Sequence, residues 1–138
     1  MKNVRILNMD GIIIWLGGVV LFLILDEVWI CGLVRNFYTE KLAPLVGRGE
    51  WKLNWWAGSL AYFVLSLGLT FFVLPAARDL WEAMLYGAAY GLVVYGVYNF
   101  SNAMLFKKYS ESLVWADLVW GILTNALIAG ILFVFSSF

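Results

Sequence analysis

Two acidic side chains stand inside long apolar runs: Asp26, in Leu25-Asp26-Glu27-Val28-Trp29, and Asp117, in Asp117-Leu118-Val119-Trp120-Gly121. Both stretches read Asp-x-x-Trp. A carboxyl at membrane depth costs about 2.5–3.5 kcal/mol on insertion scales, so it usually faces a protein interior and marks a site. Two kinds of chemistry are open to such a group. It can serve as an acid or base, or it can hold the polar end of an amphipathic molecule inside an apolar pocket. The residues that could share either task are Asp26, Glu27, Trp29, Tyr98, Asn99, Asn102, Asp117 and Trp120.

Other chemistries are poorly served. Histidine is absent and Cys31 is the only cysteine, so no disulfide forms within the chain. Zinc, haem and iron–sulfur sites draw mostly on His and Cys, so no metal and no cofactor is expected. There is no Gly-rich phosphate loop, no Ser-x-x-Lys and no histidine for a triad, and no catalytic residue can be assigned. Net charge is zero, which provides no basic field for nucleic acid.

The elements that must position these groups follow from composition. Of 138 residues, 64% are hydrophobic and 13% charged, against roughly 45–50% and about 25% in soluble domains. A soluble chain this short could not hide so much apolar side chain, whereas a bilayer can. Four apolar runs are long enough to cross it, at about 11–34, 55–74, 80–106 and 113–135. Pro75 ends the second run, because proline cannot continue helical hydrogen bonding comfortably. Lys2 and Arg5 before the first run resemble the start of a signal peptide, but no small-x-small cleavage site follows, so this run is expected to remain as a span. The expectation is one integral membrane domain over residues 1–138, all-α, with four transmembrane helices in an up-down-up-down bundle.

The longest connection, 35–54, carries Arg35, Lys41, Arg48 and Lys52 with Pro44, Gly47 and Gly49. Its Asn36-Phe37-Tyr38 and Leu42 suggest a short interfacial segment. Trp51, Trp55 and Trp56 flank the second span, Trp81 the third and Trp15 the first, as aromatic belts do. Trp29 and Trp120 lie deeper and need another reason. Lys2, Arg5 and Arg78 fall on one side, and Arg35, Lys41, Arg48, Lys52, Lys107 and Lys108 on the other. The positive-inside rule then puts both termini outside.

This topology brings Asp26, Glu27, Asn99, Ser101, Asn102 and Asp117 to the same half of the bilayer. At about 100° per residue, one stripe on the first helix holds Trp15, Val19, Phe22, Asp26, Trp29 and Leu33. On the fourth, Asp117, Gly121, Thr124 and Ile128 share a face, with Trp120 and Asn125 at its edges. On the third, Gly87, Gly91, Tyr95, Tyr98 and Asn102 do, and Gly87-x-x-x-Gly91 is the spacing that lets backbones approach. On the second, Ser59, Phe63, Ser66 and Thr70 form a weakly polar stripe. Asp26 or Glu27 is expected to pair with Asn102 or Lys107. Asp117, one turn from its helix start, could instead reach water or stabilise the helix N-terminus.

At these residues the chain resembles a family of small bacterial predicted membrane proteins of unknown function, DUF2177. The resemblance rests on Leu25-Asp26-x-x-Trp29, Asn36-Phe37-Tyr38 with Leu42, Val73-x-Pro75-Ala76, Gly87 and Gly91, Tyr98-x-x-Ser101-Asn102, and Asp117-x-x-Trp120-Gly121. The family pattern resembles Tyr-Asp-x-Thr-Asn in the third helix, where this chain has Asn99 and Ser101. The resemblance implies a four-helix membrane protein, in a bacterial inner membrane, and supplies no activity.

Three readings remain open. In the first the chain binds or transports a lipid or small amphipathic ligand in a cavity holding Asp26, Asn102 and Asp117, open toward the more basic side. Alternating access in so short a chain would need a homodimer. In the second it is a structural or assembly subunit, its partners the lipid bilayer and a larger complex. In the third it is a membrane acid–base enzyme acting on a lipid-like substrate.

Overall fold

The computed structural model describes residues 9–47 and 54–136, and within them the chain is helical with no strand. Helix α1, Met9–Asp26, runs on into a π-helical segment, Glu27–Leu33. Helix α2 is Arg35–Val46. Helix α3, Trp55–Gly68, continues through a π-helical segment, Leu69–Val73, and a 3-10 turn, Leu74–Ala76. Helices α4, Leu80–Leu105, and α5, Glu111–Ser136, complete the chain. Met9–Leu33, Trp55–Ala76, Leu80–Leu105 and Glu111–Ser136 are long and apolar enough to cross a membrane. The shortest has 22 residues, about 33 Å at 1.5 Å per residue, which covers a hydrocarbon core of about 30 Å. The protein is an all-α, multi-pass integral membrane protein.

Several boundaries move from those expected. The second span passes Pro75 because the proline sits in the first turn of the 3-10 segment, where its missing N–H removes no helical bond. The interfacial segment is a 12-residue helix, α2, with Pro44 inside its last turn and Tyr38 as its one buried side chain. Asn54 Oδ1 caps α3 by accepting from Ala57 N at 3.4 Å. Asp79 Oδ1 caps α4 by accepting from Glu82 N at 2.8 Å, and Glu82 accepts in return from Arg78 N at 2.9 Å. This reciprocal arrangement satisfies donors that a helix start leaves free. Trp51 and the cations Lys2, Arg5, Arg48 and Lys52 of the orientation count lie outside the described residues. Trp55, Trp56 and Trp81 are exposed at helix starts.

Packing is tightest between α4 and α5. Gly87 lies against Ala129 and the Asn125 carbonyl, Gly91 against Asn125 and Gly121, Tyr95 across Gly121, and Asn99 beside Asp117. One series climbs by fours as the other falls by fours, so the helices are antiparallel and mesh along their i±4 ridges. The short links before and after α4 are consistent with an up-down order. A Cβ on Gly87 would sit 2.6 Å from Asn125 O, so the absence of a side chain permits the approach.

This seam corrects the stripe expected for the third helix. A stripe at 100° per residue leads from Gly91 to Tyr98 and Asn102, but an i±4 ridge leads to Tyr95 and Asn99. Asn99 is therefore fully buried, and Tyr98 is 59% exposed. The first-helix stripe holds through Trp29, which stacks on Trp120, and fails at Leu33 for a related reason. The π-helical segment has more residues per turn, so Leu33 leaves the interior and is exposed.

Helices α1 and α3 meet where Ser66 Oγ donates to Trp15 O at 2.6 Å and Trp15 Nε1 donates to Phe63 O at 3.0 Å. Gly18 faces Ser66 at this contact. Phe22, Leu69, Ile128 and Leu132 fill the space between the helices.

Candidate functional site

The polar groups gather at the end of the bundle where α1 finishes, α3 starts and α2 lies across. Asp26 closes the last α-helical turn of α1 and is 6% exposed. Trp120 Nε1 on α5 donates to its Oδ1 at 2.7 Å. The Tyr62 side chain on α3 also faces this carboxyl. Trp120 in turn stacks on Trp29, ring centroids 4.3 Å apart and planes 2° from parallel. That stack is the reason two tryptophans lie deeper than the aromatic belts. It also places the π-helical segment directly over α5.

Asp117 is bound differently. Its Oδ1 accepts from the Tyr38 hydroxyl at 3.0 Å, and its Oδ2 from Asn99 Nδ2 at 2.6 Å. The same Asn99 amide donates to Tyr95 O at 3.0 Å, while Asn99 Oδ1 accepts from the Tyr109 hydroxyl at 2.9 Å. Four segments thus meet on Asp117 and Asn99: α2, α4, the link after α4, and α5. Burial pushes the Tyr38 hydroxyl above the ordinary phenol range, and the nearby Asp117 carboxyl adds to the shift. Burial likewise pushes Tyr109 up to about 12. Both phenols therefore remain donors.

Asp26 and Asp117 are near enough to interact electrostatically, with Tyr95 close to both. Trp29 Nε1 is buried within reach of the Tyr38 hydroxyl without meeting hydrogen-bond geometry. Thr70 Oγ1, Thr124 Oγ1 and Asn125 Oδ1 also lack hydrogen-bond partners in the buried core.

A pocket of about 70 Å³ lies between α1 and α3. Asp26, Glu27, Ser59 and Tyr62 supply its polar wall, and Leu23 and Ile30 supply apolar surface. Trp55 and the capping Asn54 lie at the same mouth. The cavity differs from the expected one. It includes Asp26 but neither Asn102 nor Asp117, whose two oxygens accept from Tyr38 and Asn99. The expected partner of Asp26 or Glu27 was Asn102 or Lys107. Asp26 accepts from Trp120 instead, and the amide that meets an acid is Asn99 at Asp117, which the four-residue ridge turns inward. Asn102 lies instead beside Tyr98 and Tyr109. Glu27 is exposed at the pocket and adjoins Cys31.

Tyr38, Tyr62, Tyr109, Ser59 and Trp55 are site neighbours that the sequence did not single out. Tyr38 stood within the Asn36-Phe37-Tyr38 stretch, Ser59 on the weakly polar stripe and Trp55 in the aromatic belt; Tyr62 and Tyr109 carried no signal. Among the described residues, no group of three His, Cys, Asp or Glu side chains is arranged to hold a metal.

A family model described as a predicted membrane protein, DUF2177, matches residues 11–134. No match was found among curated proteins or among solved structures.

Proposed function

The chain belongs to the DUF2177 family of predicted membrane proteins, and from that premise we propose that it binds or transports a small amphipathic or lipid-like molecule in the bacterial inner membrane. The pocket between α1 and α3 receives the polar end of that molecule, and Asp26 is its anchor. The observation that supports this reading is the contrast between the two acids. Each Asp117 oxygen accepts a hydrogen bond, from Tyr38 and from Asn99, as in a structural carboxyl, whereas Asp26 accepts from Trp120 on Oδ1, is buried and still walls an open pocket. Apolar surface with a few convergent polar groups is the usual make-up of a small-molecule site. At about 70 Å³ the pocket takes only the head of such a molecule, since drug-sized ligands fill roughly 300–1,000 Å³. The tail then lies along the helices in lipid.

The test is an organic extract of the purified protein, analysed by mass spectrometry against an extract from mock-purified membranes. An amphiphile enriched with the wild-type protein and lost from Asp26→Asn supports the reading. An extract no different from the mock sinks it. A structural role has its own support in the hydrogen-bonded Asp117 and the interlocked α4–α5 seam. It predicts that Asp26→Asn changes stability and nothing in the extract.

A further inference from the structure

The walls of the α1–α3 pocket define the chemistry of what fits there. We propose that it takes a primary ammonium group, carried either by a free amphipathic amine or by an ethanolamine lipid; this rests on the reading that the pocket binds the polar end of an amphiphile.

Charge comes first. Asp26 and Glu27 both wall the pocket, and no Lys or Arg among the described residues does. The ion pairs among those residues are Lys41 with Glu40 and Arg78 with Glu82, so neither pocket acid is paired with a cation among the described residues. Arg35 lies near Cys31 but is exposed and off the wall. Asp26, more than nine-tenths buried beside an open space, has an indole and a phenol as neighbours and no counter-charge among the described residues. An anionic head would meet two like-charged groups there.

Donor count and size agree. An ammonium carries three donors and no acceptor, and Asp26, Glu27 and the Ser59 hydroxyl offer acceptors on two sides of the pocket. Trp55 and Tyr62 add aromatic surface, which attracts cations. Tyr62 is held in place by stacking on Phe22, centroids 6.1 Å apart. The pocket, about 70 Å³, suits a compact head, and a trimethylammonium carries no N–H donor for these acceptors. Leu23, about one turn from Asp26 toward the middle of the first span, adds apolar wall along which an alkyl chain would continue.

Saturable binding of radiolabelled probes to the protein in uncharged maltoside micelles tests this. The probes are dodecylamine, lysophosphatidylethanolamine, lysophosphatidylcholine, dodecyl phosphate and dodecanol. Dodecylamine or lysophosphatidylethanolamine should bind roughly tenfold or more tightly than the other three, the scale expected for one desolvated charge contact. A tighter ethanolamine lipid assigns the site to lipid, and a tighter dodecylamine assigns it to a free amine. Asp26→Asn should abolish the preference. Glu27→Gln, at an exposed position that does not hold the fold, should weaken amine binding several-fold and leave dodecanol binding unchanged. Equal binding of amine and dodecanol, or preference for the phosphate, with dependence on Asp26 overturns the ammonium assignment and leaves the amphiphile reading standing. No saturable binding of any probe overturns both.

Discussion

Trp120 Nε1 donates to Asp26 Oδ1 at 2.7 Å, joining residues 94 positions apart in the chain. The bond ties the last span to the first at the point where α1 changes from α- to π-helical winding. The same indole carries the stack with Trp29. One side chain therefore positions both the acid and the segment that follows it.

Trp120→Phe separates these two tasks. The ring remains to stack, but the N–H is lost and Asp26 gives up a donor in a buried place. Polar contacts between membrane helices average only about 0.6 kcal/mol and reach about 1.7, while bonds to charged groups run about 1.5–3. A cost of about 1–2 kcal/mol is expected, read as a shift in the SDS-induced unfolding midpoint of the protein in maltoside micelles. Trp120→Leu should cost about 0.5–1.5 kcal/mol more, since the aromatic pair is lost too. Equal costs for the two variants would show that the aromatic stack contributes nothing, and a Trp120→Phe protein as stable as wild type would show the same of the hydrogen bond.

The α4–α5 seam makes opposite predictions for two glycines on one helix. A Cβ on Gly87 would stand 2.6 Å from the backbone oxygen of Asn125, which cannot move without shifting α5. Gly87→Ala should cost about 1–3 kcal/mol, the usual range for overpacking. A Cβ on Gly96 meets side-chain atoms at 3.8 Å, an ordinary contact. Gly96→Ala should be neutral or stabilising by up to about 1 kcal/mol, because alanine favours helix. The same unfolding titration measures both, and similar behaviour of the two variants would contradict the ridge packing.

What the sequence disclosed and what it hid divide along a physical line. The four spans were legible because twenty-odd apolar residues in a row have few other uses. Asp26 and Asp117 stood out because a carboxyl in such a run carries a known cost. The inward turn of Asn99 rather than Asn102 was not legible. It depends on whether two helices track a straight 3.6-residue stripe or an i±4 ridge, and that choice belongs to the pair. The π-helical segment after Asp26 was hidden for a similar reason, since its stack with Trp120 has no local signature. Tyr38 looked like an interface aromatic, and Tyr109 carried no signal, because the groups they bond lie on other helices.

Tyr38 is the one buried residue of α2, and its hydroxyl reaches Asp117. Tyr38→Phe keeps the ring and removes the tether. Hydrogen exchange at the α2 backbone amides should then speed up several-fold, with the spans unchanged. The tether also has a pH signature. The folded-state pKa of Tyr38 is raised above the ordinary value, so the neutral phenol is the form that folding favours. Its contribution is fully present below the unfolded value of about 10 and is lost as pH rises through the higher folded value. After correction for base-catalysed intrinsic exchange, protection of α2 should stay flat from pH 6 to about pH 9 and fall only above that. Loss of protection near neutrality would rule out the phenol as the tether.

Asn99 does two things at once that only an amide can do. Its Nδ2 donates to Asp117 Oδ2 at 2.6 Å and its Oδ1 accepts from Tyr109 at 2.9 Å. Asn99→Ala deletes both bonds and leaves a carboxyl and a phenol short of partners in a buried site, a loss of about 1–3 kcal/mol. Asn99→Asp keeps the shape and the acceptor for Tyr109 but sets an acceptor-only group against Asp117. Repulsion then adds to the lost bond, because two like charges in contact disfavour each other. Asn99→Asp should therefore be the less stable of the two at neutral pH, although it is the smaller change in volume. Unfolding midpoints of the two variants in maltoside micelles decide the point. An Asn99→Asp protein as stable as wild type would mean that the Asn99–Asp117 bond does not hold α4 to α5.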